Sequence, residues 1–427
     1  MGDTRKLGEQ ERILHYMHPY GGLMPLQVLH IRGALDGDLV ARGLDWLQRQ
    51  HPMLRAHVRY GGLVFLKKPP FVYRQPYFET EGTTKIPLRI LDAPWEDVLT
   101  DEMSKPMPST RSPRLRVTLV RDRADPEMNH LIFCGDHATM DAYTAHLISR
   151  QLLEYFADPA VMELKFQVND RLPPPLEAGF PKKPDSGMKG YEPALRLPRQ
   201  HVPGAKRATR VIARRLDAAA TDALKAAAKA NRTTLHGAVT GAFLLAMHQH
   251  YGIDRMTCVS SVDLRRLLRP PLPPETYGCY IDVLRTRHDL GPDLWPIARD
   301  VSFKLVTALA KDHEAASLLK LPGWEALAAE IWPTMTHNRR IDGLGITTAG
   351  DSGLGYRFGN HTLEGVTMGV GIDFVGPSIL VLGAERLGAL DVTVSYATGA
   401  LPAADATELV DLALAVLTAA GEMANAS

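Results

Sequence analysis

The chain has 427 residues, of which 45% are hydrophobic and 23% are charged, and its formal net charge is +1. This balance is ordinary for a globular protein of two domains or subdomains, and it provides no general attraction to nucleic acid or to an anionic membrane. Three scattered cysteines are too few for a disulfide framework or a zinc site, so we predict no metal and a reducing compartment. The polar N-terminus does not resemble a signal peptide, and no apolar stretch reaches the roughly 20 residues of a membrane span. We therefore expect a cytoplasmic monomer with no nucleic-acid partner.

The first third of the sequence predicts a mixed α/β layer, because short apolar runs alternate with one amphipathic helix. In chain order, the predicted elements are a strand at 26–31, a helix that ends before His51, a hairpin over 54–67 with Gly61 and Gly62 as its turn, and strands at 115–121 and 130–135.

Proline and glycine recur between about residues 169 and 206, where they interrupt regular hydrogen bonding. We interpret this segment as a crossover linker. It divides the chain into a first unit of residues 1–170, a linker of residues 171–206 and a second unit of residues 207–427. After the linker the α/β pattern returns, with strands predicted at 209–215, 256–262, 345–348, 379–382 and 389–396 and helices at 217–230, 234–250 and 404–420.

A histidine lies where a predicted strand of the first unit ends and a helix begins. The apolar run Leu131–Gly135 leads into His137, and Asp141 follows four residues later. Secondary structure on both sides fixes such a ring, and imidazole exchanges protons near neutrality. His137 is therefore the candidate general base, and the alternative is a core histidine bonded to a backbone carbonyl. The same spacing recurs at His250 and Asp254, but at a helix end where a solvated terminus is expected.

A second segment, from Val262 to Gly278, places three arginines between a predicted strand and a proline-rich loop. Taken by itself, this segment is explained as a basic loop that faces water. Alternatively, one of its arginines could pair with a carboxylate. Together with the H-x-x-x-D motif, this run resembles an acyltransferase superfamily that includes peptide-synthetase condensation domains, PapA-type acyltransferases and plant BAHD acyltransferases. The segment Ala41–Arg55 resembles the N-terminal region of these proteins and Leu390–Tyr396 resembles their C-terminal end, so the likeness covers nearly the whole chain.

The resemblance implies an α/β fold, an α+β sandwich, in which two chloramphenicol-acetyltransferase-like subdomains form a pseudo-dimer around an interface tunnel. It also implies that an acyl group moves directly from a thioester donor, acyl-CoA or an acyl-carrier protein, to a hydroxyl or amine of a specialised metabolite or lipid. No cofactor is implied beyond acyl-CoA or acyl-pantetheine as substrate. In this scheme His137 takes the proton of the small-molecule acceptor, while Asp141 pairs with Arg265 to hold the shape of the loop.

Three positions depart from the pattern of this superfamily. The first histidine of its H-H-x-x-x-D-G signature is Asp136, the glycine after the aspartate is Ala142, and the asparagine after Tyr-Gly is Cys279. Ala142 can still donate its backbone N–H to an oxyanion if its conformation suits alanine. The hydroxyls of Thr347 and Thr348 are further candidates for stabilising the oxyanion. Both residues are equally well explained as strand residues with no catalytic role. These departures leave open a degenerate relative that only binds a metabolite or a carrier protein.

Other motifs suggest different chemistry. Cys134 would suit an acyl-cysteine mechanism, but it alternates with its neighbours inside a strand and is predicted to be core. The tetrapeptide Gly350–Gly353 reproduces the nucleophile motif of trypsin-like proteases, so a serine hydrolase using Ser352 is a further alternative. A surface turn explains the same four residues. His15 and His18 lack acidic or cysteine neighbours in sequence and are predicted to be surface or packing residues.

Overall fold

A computed structural model describes residues 2–20, 22–65, 72–108, 111–167, 169–179, 208–312, 340, 342–373 and 375–425. In these ranges the α-helices are α1 (Glu9–Met17), α2 (Gly37–Gln50), α3 (Trp95–Ser104), α4 (Ala142–Ala157), α5 (Pro159–Leu164), α6 (Ala218–Ala230), α7 (Leu235–Tyr251), α8 (Leu294–Asp312) and α9 (Ala403–Asn425). Short 3-10 turns lie at His18–Tyr20, Pro52–Arg55, Leu176–Gly179 and Arg265–Leu267. No helix in this part of the chain is long and apolar enough to cross a bilayer.

The strands form two large sheets and one small sheet. They are β1 (Thr4–Lys6), β2 (Gly22–Arg32), β3 (His57–Phe65), β4 (Val72–Glu79), β5 (Leu88–Asp92), β6 (Leu115–Arg121), β7 (Met128–Gly135), β8 (Thr209–Leu216), β9 (Arg255–Asp263), β10 (Ile281–Asp289), β11 (Leu344–Asp351), β12 (Arg357–Phe358), β13 (His361–Ile372), β14 (Ile379–Arg386) and β15 (Ala389–Ala397).

Sheet membership does not follow the predicted units along the sequence. The first large sheet has the strand order β12-β13-β2-β7-β6-β5, and the second has the order β10-β9-β11-β14-β15-β8. Strands β12 and β13 come from the second half of the chain, yet β13 pairs antiparallel with β2 and so completes the first sheet. The small sheet has the order β1-β4-β3. The two halves are therefore joined by backbone hydrogen bonds as well as by side chains.

Helix starts coincide with side chains that can cap them. Asp141 accepts a hydrogen bond of 2.9 Å from the backbone N of Thr144 at the start of α4. Thr234 accepts one of 3.0 Å from the backbone N of Gly237 at the start of α7. Each bond satisfies a backbone donor that the helix itself leaves unpaired. The helix start after β7 is thus fixed by Asp141 itself.

Apolar side chains cover both faces of the strand that leads to the candidate site. Phe133 of β7 packs in a cluster with α2 and α4, and Ile132 packs on the other face with α3. Val211 of β8 contacts this second cluster, which therefore links the two sheets. A separate core holds α6, α7 and α9 against the second sheet. Because β7 is buried on both faces, the loop after it starts from a rigid position.

The predicted α/β class is confirmed by two large sheets that pack against helices. The hairpin turn at Gly61 and Gly62 was wrong, because β3 runs through both glycines and pairs with β4. The register shifts between Tyr60 and Leu63, so the glycines accommodate a bulge and not a turn. Elements that the sequence did not predict include α1, α3, α8, β4, β5, β10 and β13. Residues 180–206 of the predicted linker lie outside the described residues.

Candidate active site

The candidate site is built from a loop of each half of the chain. The first loop, Asp136–Asp141, connects β7 to α4. The second comprises the 3-10 turn Arg265–Leu267 and the segment that runs to β10. The hydroxyl of Thr144 donates to the carbonyl of Gly278 at 2.7 Å, which joins the start of α4 to the second loop.

A buried ion pair ties the two loops together. Nη1 of Arg265 lies 2.8 Å from Oδ2 of Asp141, and Nη2 lies 3.1 Å from Oδ1, so the contact is bidentate. Only 1% of the Asp141 side chain and 11% of the Arg265 side chain is exposed. The backbone N of Tyr280 also donates to Oδ2 of Asp141 at 2.9 Å. The structure thus places the predicted pair in a bidentate, charge-assisted contact.

Arg265 makes further contacts that fix its guanidinium. Nη2 donates to the Gly278 carbonyl at 2.8 Å, and the group lies 4.4 Å from the ring centre of Tyr143 and 5.0 Å from that of Tyr280. Burial acts to raise the pKa of Asp141, but the Arg265 charge together with the hydrogen bonds from Arg265, Tyr280 and Thr144 keeps that pKa below the usual value. Both partners are therefore charged at neutral pH, and each compensates the cost of burying the other.

His137 occupies the middle of the first loop and is half-buried. Its Nδ1 lies 3.6 Å from the sulfur of Cys279, which belongs to the second loop. Burial lowers the pKa of His137 below its usual 6.5, although the Asp141 carboxylate acts in the opposite direction. The imidazole is therefore neutral at pH 7, which is the form that accepts a proton.

Asp136, which replaces a histidine of the superfamily signature, is fully buried and paired with Arg114. Its Oδ2 accepts from Nη2 of Arg114 at 2.6 Å and lies 3.3 Å from Nδ1 of His15. Its Oδ1 accepts from the backbone N of Ala138 at 2.9 Å. Burial acts to raise the pKa of Asp136, but Arg114 and the bond from His15 keep it well below the usual 3.8. A second ion pair thus anchors the loop from the side of the first sheet.

The sequence analysis missed Arg114 and His15. The register of the hairpin formed by β6 and β7 could have revealed Arg114, because Leu115 lies opposite Gly135 and the next pair outward is Arg114 with Asp136. No comparable signal existed for His15, which is buried and reaches the loop from α1, 121 residues away in sequence. The structure places it among packed residues, as the sequence analysis allowed.

The remaining candidates divide between this site and the second half. Ala142 is the first residue of α4 and does not have a positive φ, so alanine suits its backbone. Thr347 and Thr348 lie on β11, where the hydroxyl of Thr348 is 3.0 Å from Nδ1 of His236. His236 is in turn 3.3 Å from the hydroxyl of Ser260. Thr348 thus belongs to a polar cluster of the second sheet, and Thr347, its neighbour on the strand, faces the opposite side of the sheet.

The two rival nucleophiles lie apart from this chemistry. Cys134 is buried in β7, and burial raises its thiol pKa to about 12, so it stays protonated. Ser352 follows β11 in a turn, where Gly353 has a φ of 64° and the Ser352 hydroxyl accepts from the backbone N of Leu354 at 3.4 Å. Among the described residues, no histidine is hydrogen-bonded to Ser352, so no serine–histidine pair is formed there.

Comparison with known proteins agrees with this architecture. Residues 205–337 match the family model of the phthiocerol/phthiodiolone dimycocerosyl transferase C-terminus. Chondramide synthase of Chondromyces crocatus is 23% identical over 316 residues, which are 70% of this chain and 8% of that protein. The chain therefore spans a small fraction of the curated relative that it matches.

Solved structures share the fold across the whole chain. A trichothecene 15-O-acetyltransferase from Fusarium sporotrichioides superposes with a TM-score of 0.74 at 11% identity, covering 98% of this chain and 96% of the other. The epimerization domain from the third module of tyrocidine synthetase B gives 0.69 at 13% identity, covering 100% and 99%. Polyketide synthase associated protein 5 from Mycobacterium tuberculosis gives 0.65 at 17% identity, covering 97% of each.

The chain is similar to condensation, PapA-type and trichothecene acetyltransferase proteins, and the shared fold confirms the predicted α/β architecture with two chloramphenicol-acetyltransferase-like subdomains. At these identities the solved structures support the fold alone, and they do not select an acyl group or an acceptor for this chain.

Proposed function

We propose that this protein, which is similar to acyltransferases of this superfamily, is an active acyltransferase. It moves an acyl group from a thioester, acyl-CoA or an acyl-carrier protein, to a hydroxyl or amine of a specialised metabolite or lipid. The observation that carries the proposal is the state of His137: a neutral, half-buried imidazole on a loop held by buried ion pairs on both sides.

In the proposed reaction, His137 removes the proton of the acceptor as its oxygen or nitrogen attacks the thioester carbonyl. The new ester or amide bond forms as the C–S bond breaks, and the proton leaves with the thiolate as free thiol. A thioester is already activated, so positioning, base catalysis and oxyanion stabilisation suffice without a covalent enzyme intermediate.

The position of the base between the two loops supports a ternary complex. Residues from 136 to 144 approach one side of the site, and residues from 263 to 280 approach the other. We infer that donor and acceptor enter from different sides of this junction, along a tunnel that excludes water and protects the thioester from hydrolysis.

The decisive experiment measures free thiol release from a panel of acyl-CoA and acyl-carrier-protein donors in the presence of alcohol and amine acceptors. His137→Ala should reduce kcat/KM by about 10²–10⁴-fold, the usual contribution of a general base. The matched control is His250→Ala, which removes the histidine of the second H-x-x-x-D match and should leave the rate unchanged. If His137→Ala keeps the wild-type rate, the assignment of the base is wrong.

The pH dependence gives a second test of the same base. Because the pKa of His137 is lowered below 6.5, the neutral ring persists into mildly acidic solution. For the wild-type protein, kcat/KM should therefore be level through neutrality and fall only below pH 6.5. An acid limb centred above pH 6.5 would contradict a neutral resting imidazole.

A degenerate protein that only binds a metabolite or a carrier protein is the second candidate, favoured by the departures at Asp136, Ala142 and Cys279. This candidate predicts saturable binding of an acyl-carrier protein or acyl-CoA, measured by calorimetry. It also predicts that free thiol is released no faster than by spontaneous hydrolysis of the thioester in buffer. Thiol release that depends on both the acceptor and His137 would exclude it.

A further inference from the structure

The sulfur of Cys279 lies beside the ring of the proposed base. It is 3.6 Å from Nδ1 of His137, a normal distance for a hydrogen bond that involves sulfur, and Cys279 is 3% exposed. The two residues are 142 positions apart in sequence and come from the two loops of the site. The contact is therefore made by tertiary structure and links the base to the second half of the chain.

The position of Cys279 is fixed by its chain neighbours. The carbonyl of Gly278 accepts from Arg265, and the backbone N of Tyr280 donates to Asp141. The main chain on both sides of Cys279 is thus bonded to the buried ion pair. These bonds fix the main chain that presents the Cys279 side chain to His137.

A cysteine next to a histidine could instead be a nucleophile, but the local electrostatics oppose it. Burial raises the pKa of the Cys279 thiol well above 9.0, with Asp141 acting in the same direction, and burial lowers the pKa of His137. Both shifts disfavour a thiolate–imidazolium pair, which is the reactive form of such a dyad. Both groups are neutral at pH 7.

The backbone near His137 favours a proton on the ring. Backbone hydrogen bonds at His137 and Met140 act to raise the pKa of the ring, as acceptors facing a ring N–H do. Of the two ring nitrogens of a histidine, only Nδ1 can approach the carbonyl of its own residue. A proton on Nδ1 lies on the side of Cys279, within hydrogen-bond distance of the sulfur.

We propose that Cys279 is a positioning residue for His137: its sulfur accepts the Nδ1 proton, selects one tautomer and leaves Nε2 unprotonated for the acceptor substrate. The catalytic consequence rests on the proposed function, whereas the tautomer does not. An acceptor on Nδ1 favours the tautomer in which Nε2 has the lone pair that a general base needs. The position at which the superfamily has asparagine thus retains a group able to face the ring.

The test is long-range ¹H–¹⁵N correlation of histidine-labelled protein, with the His137 signals identified from the His137→Gln variant. In the wild type, Nδ1 should have the chemical shift of a protonated nitrogen and Nε2 that of an unprotonated one. Cys279→Ala should shift His137 toward the other tautomer, while Cys279→Ser should largely restore the wild-type pattern. Cys258→Ala is the matched control, because it removes a buried thiol from the second core and should leave His137 unchanged.

Kinetics provide the second readout, with melting temperature as a check on folding. We expect Cys279→Ala to lower kcat several-fold with little change in KM, and Cys279→Ser to recover most of the loss. An Nε2-protonated ring in the wild type, or unchanged His137 signals in Cys279→Ala, would overturn the proposal. So would an acyl adduct on Cys279 after incubation with acyl-CoA, detected by peptide mass spectrometry. If no thiol release is found with any donor, the proposed function fails while the tautomer assignment is still decided by the spectra.

Discussion

At the scale of single residues, two buried ion pairs hold the loop that carries His137. Asp136 binds Arg114 on the side of the first sheet, and Asp141 binds Arg265 on the side of the second half. Removing one member of such a pair leaves an uncompensated charge in a site with little access to water. Arg114 therefore compensates the buried charge of Asp136, although an aspartate at this position departs from the superfamily signature.

Asp141→Asn tests the ion pair separately from the helix cap, because asparagine caps helices as well as aspartate does. We expect the free energy of unfolding to fall by about 3–5 kcal/mol, since the Arg265 guanidinium loses its counter-charge. Chemical denaturation measures this change.

The control for that prediction is Asp411→Asn, which breaks an exposed ion pair between Arg214 and Asp411. Its effect should stay within about 1 kcal/mol, because solvent screens exposed pairs. Equal losses in the two variants would mean that the Asp141–Arg265 contact contributes no more than a surface pair.

At the scale of elements, the start of α4 lies beside the base. Ala142 occupies the first helical position, where the backbone N–H has no partner within the helix. Asp141 before it is extended, with φ of −121° and ψ of −177°. Proline fits such a first position, and an extended residue fits the place before a proline.

Ala142→Pro therefore removes one backbone donor while the helix is expected to persist. If this N–H stabilises the oxyanion, kcat should fall by about 10²–10³-fold with little change in melting temperature. Ala142→Gly, which restores the superfamily's residue and keeps the N–H, is the matched control and should retain the rate. A fully active Ala142→Pro variant would show that the backbone N–H of Ala142 does not stabilise the oxyanion.

At the scale of the whole molecule, several buried histidines link folding to pH. Burial lowers the pKa of His18, His146 and His236 to about 4. Burial and the neighbouring His130 lower that of His30 to about 3. Each folded-state pKa lies below the value of about 6.5 in an unfolded chain, so the unfolded state binds more protons in acid.

The free energy of unfolding should therefore be highest above pH 6.5 and decrease as the pH falls below it. Each of these four groups contributes up to about 1.4 kcal/mol per pH unit in that range. Urea denaturation between pH 8 and pH 5 measures the slope. Glutamine does not take up a proton, so His146→Gln should reduce the slope by the contribution of one histidine. A free energy of unfolding that stays constant down to pH 5 would contradict the assignment of neutral buried histidines.

Much of the element order could be predicted, because it is encoded in local patterns. The strand before His137 and the helix after Asp141 followed from apolar periodicity, and most strands of the second half followed in the same way. Strand β13 did not follow, because its three glycines, Gly365, Gly369 and Gly371, weaken the local signal of a strand. The pairing of β13 with β2 across more than 300 residues stabilises what propensity alone does not indicate.

The sequence by itself determined the α/β class, the position of His137 between a strand and a helix, and the identity of the residues that depart from the superfamily signature. Only the tertiary structure decided that Asp136 pairs with Arg114, that Thr348 faces His236, and that the sulfur of Cys279 meets the ring of His137. The reason is physical: periodicity and capping act between residues a few positions apart, whereas charge pairing, burial and tautomer choice depend on groups that folding brings together from distant parts of the chain.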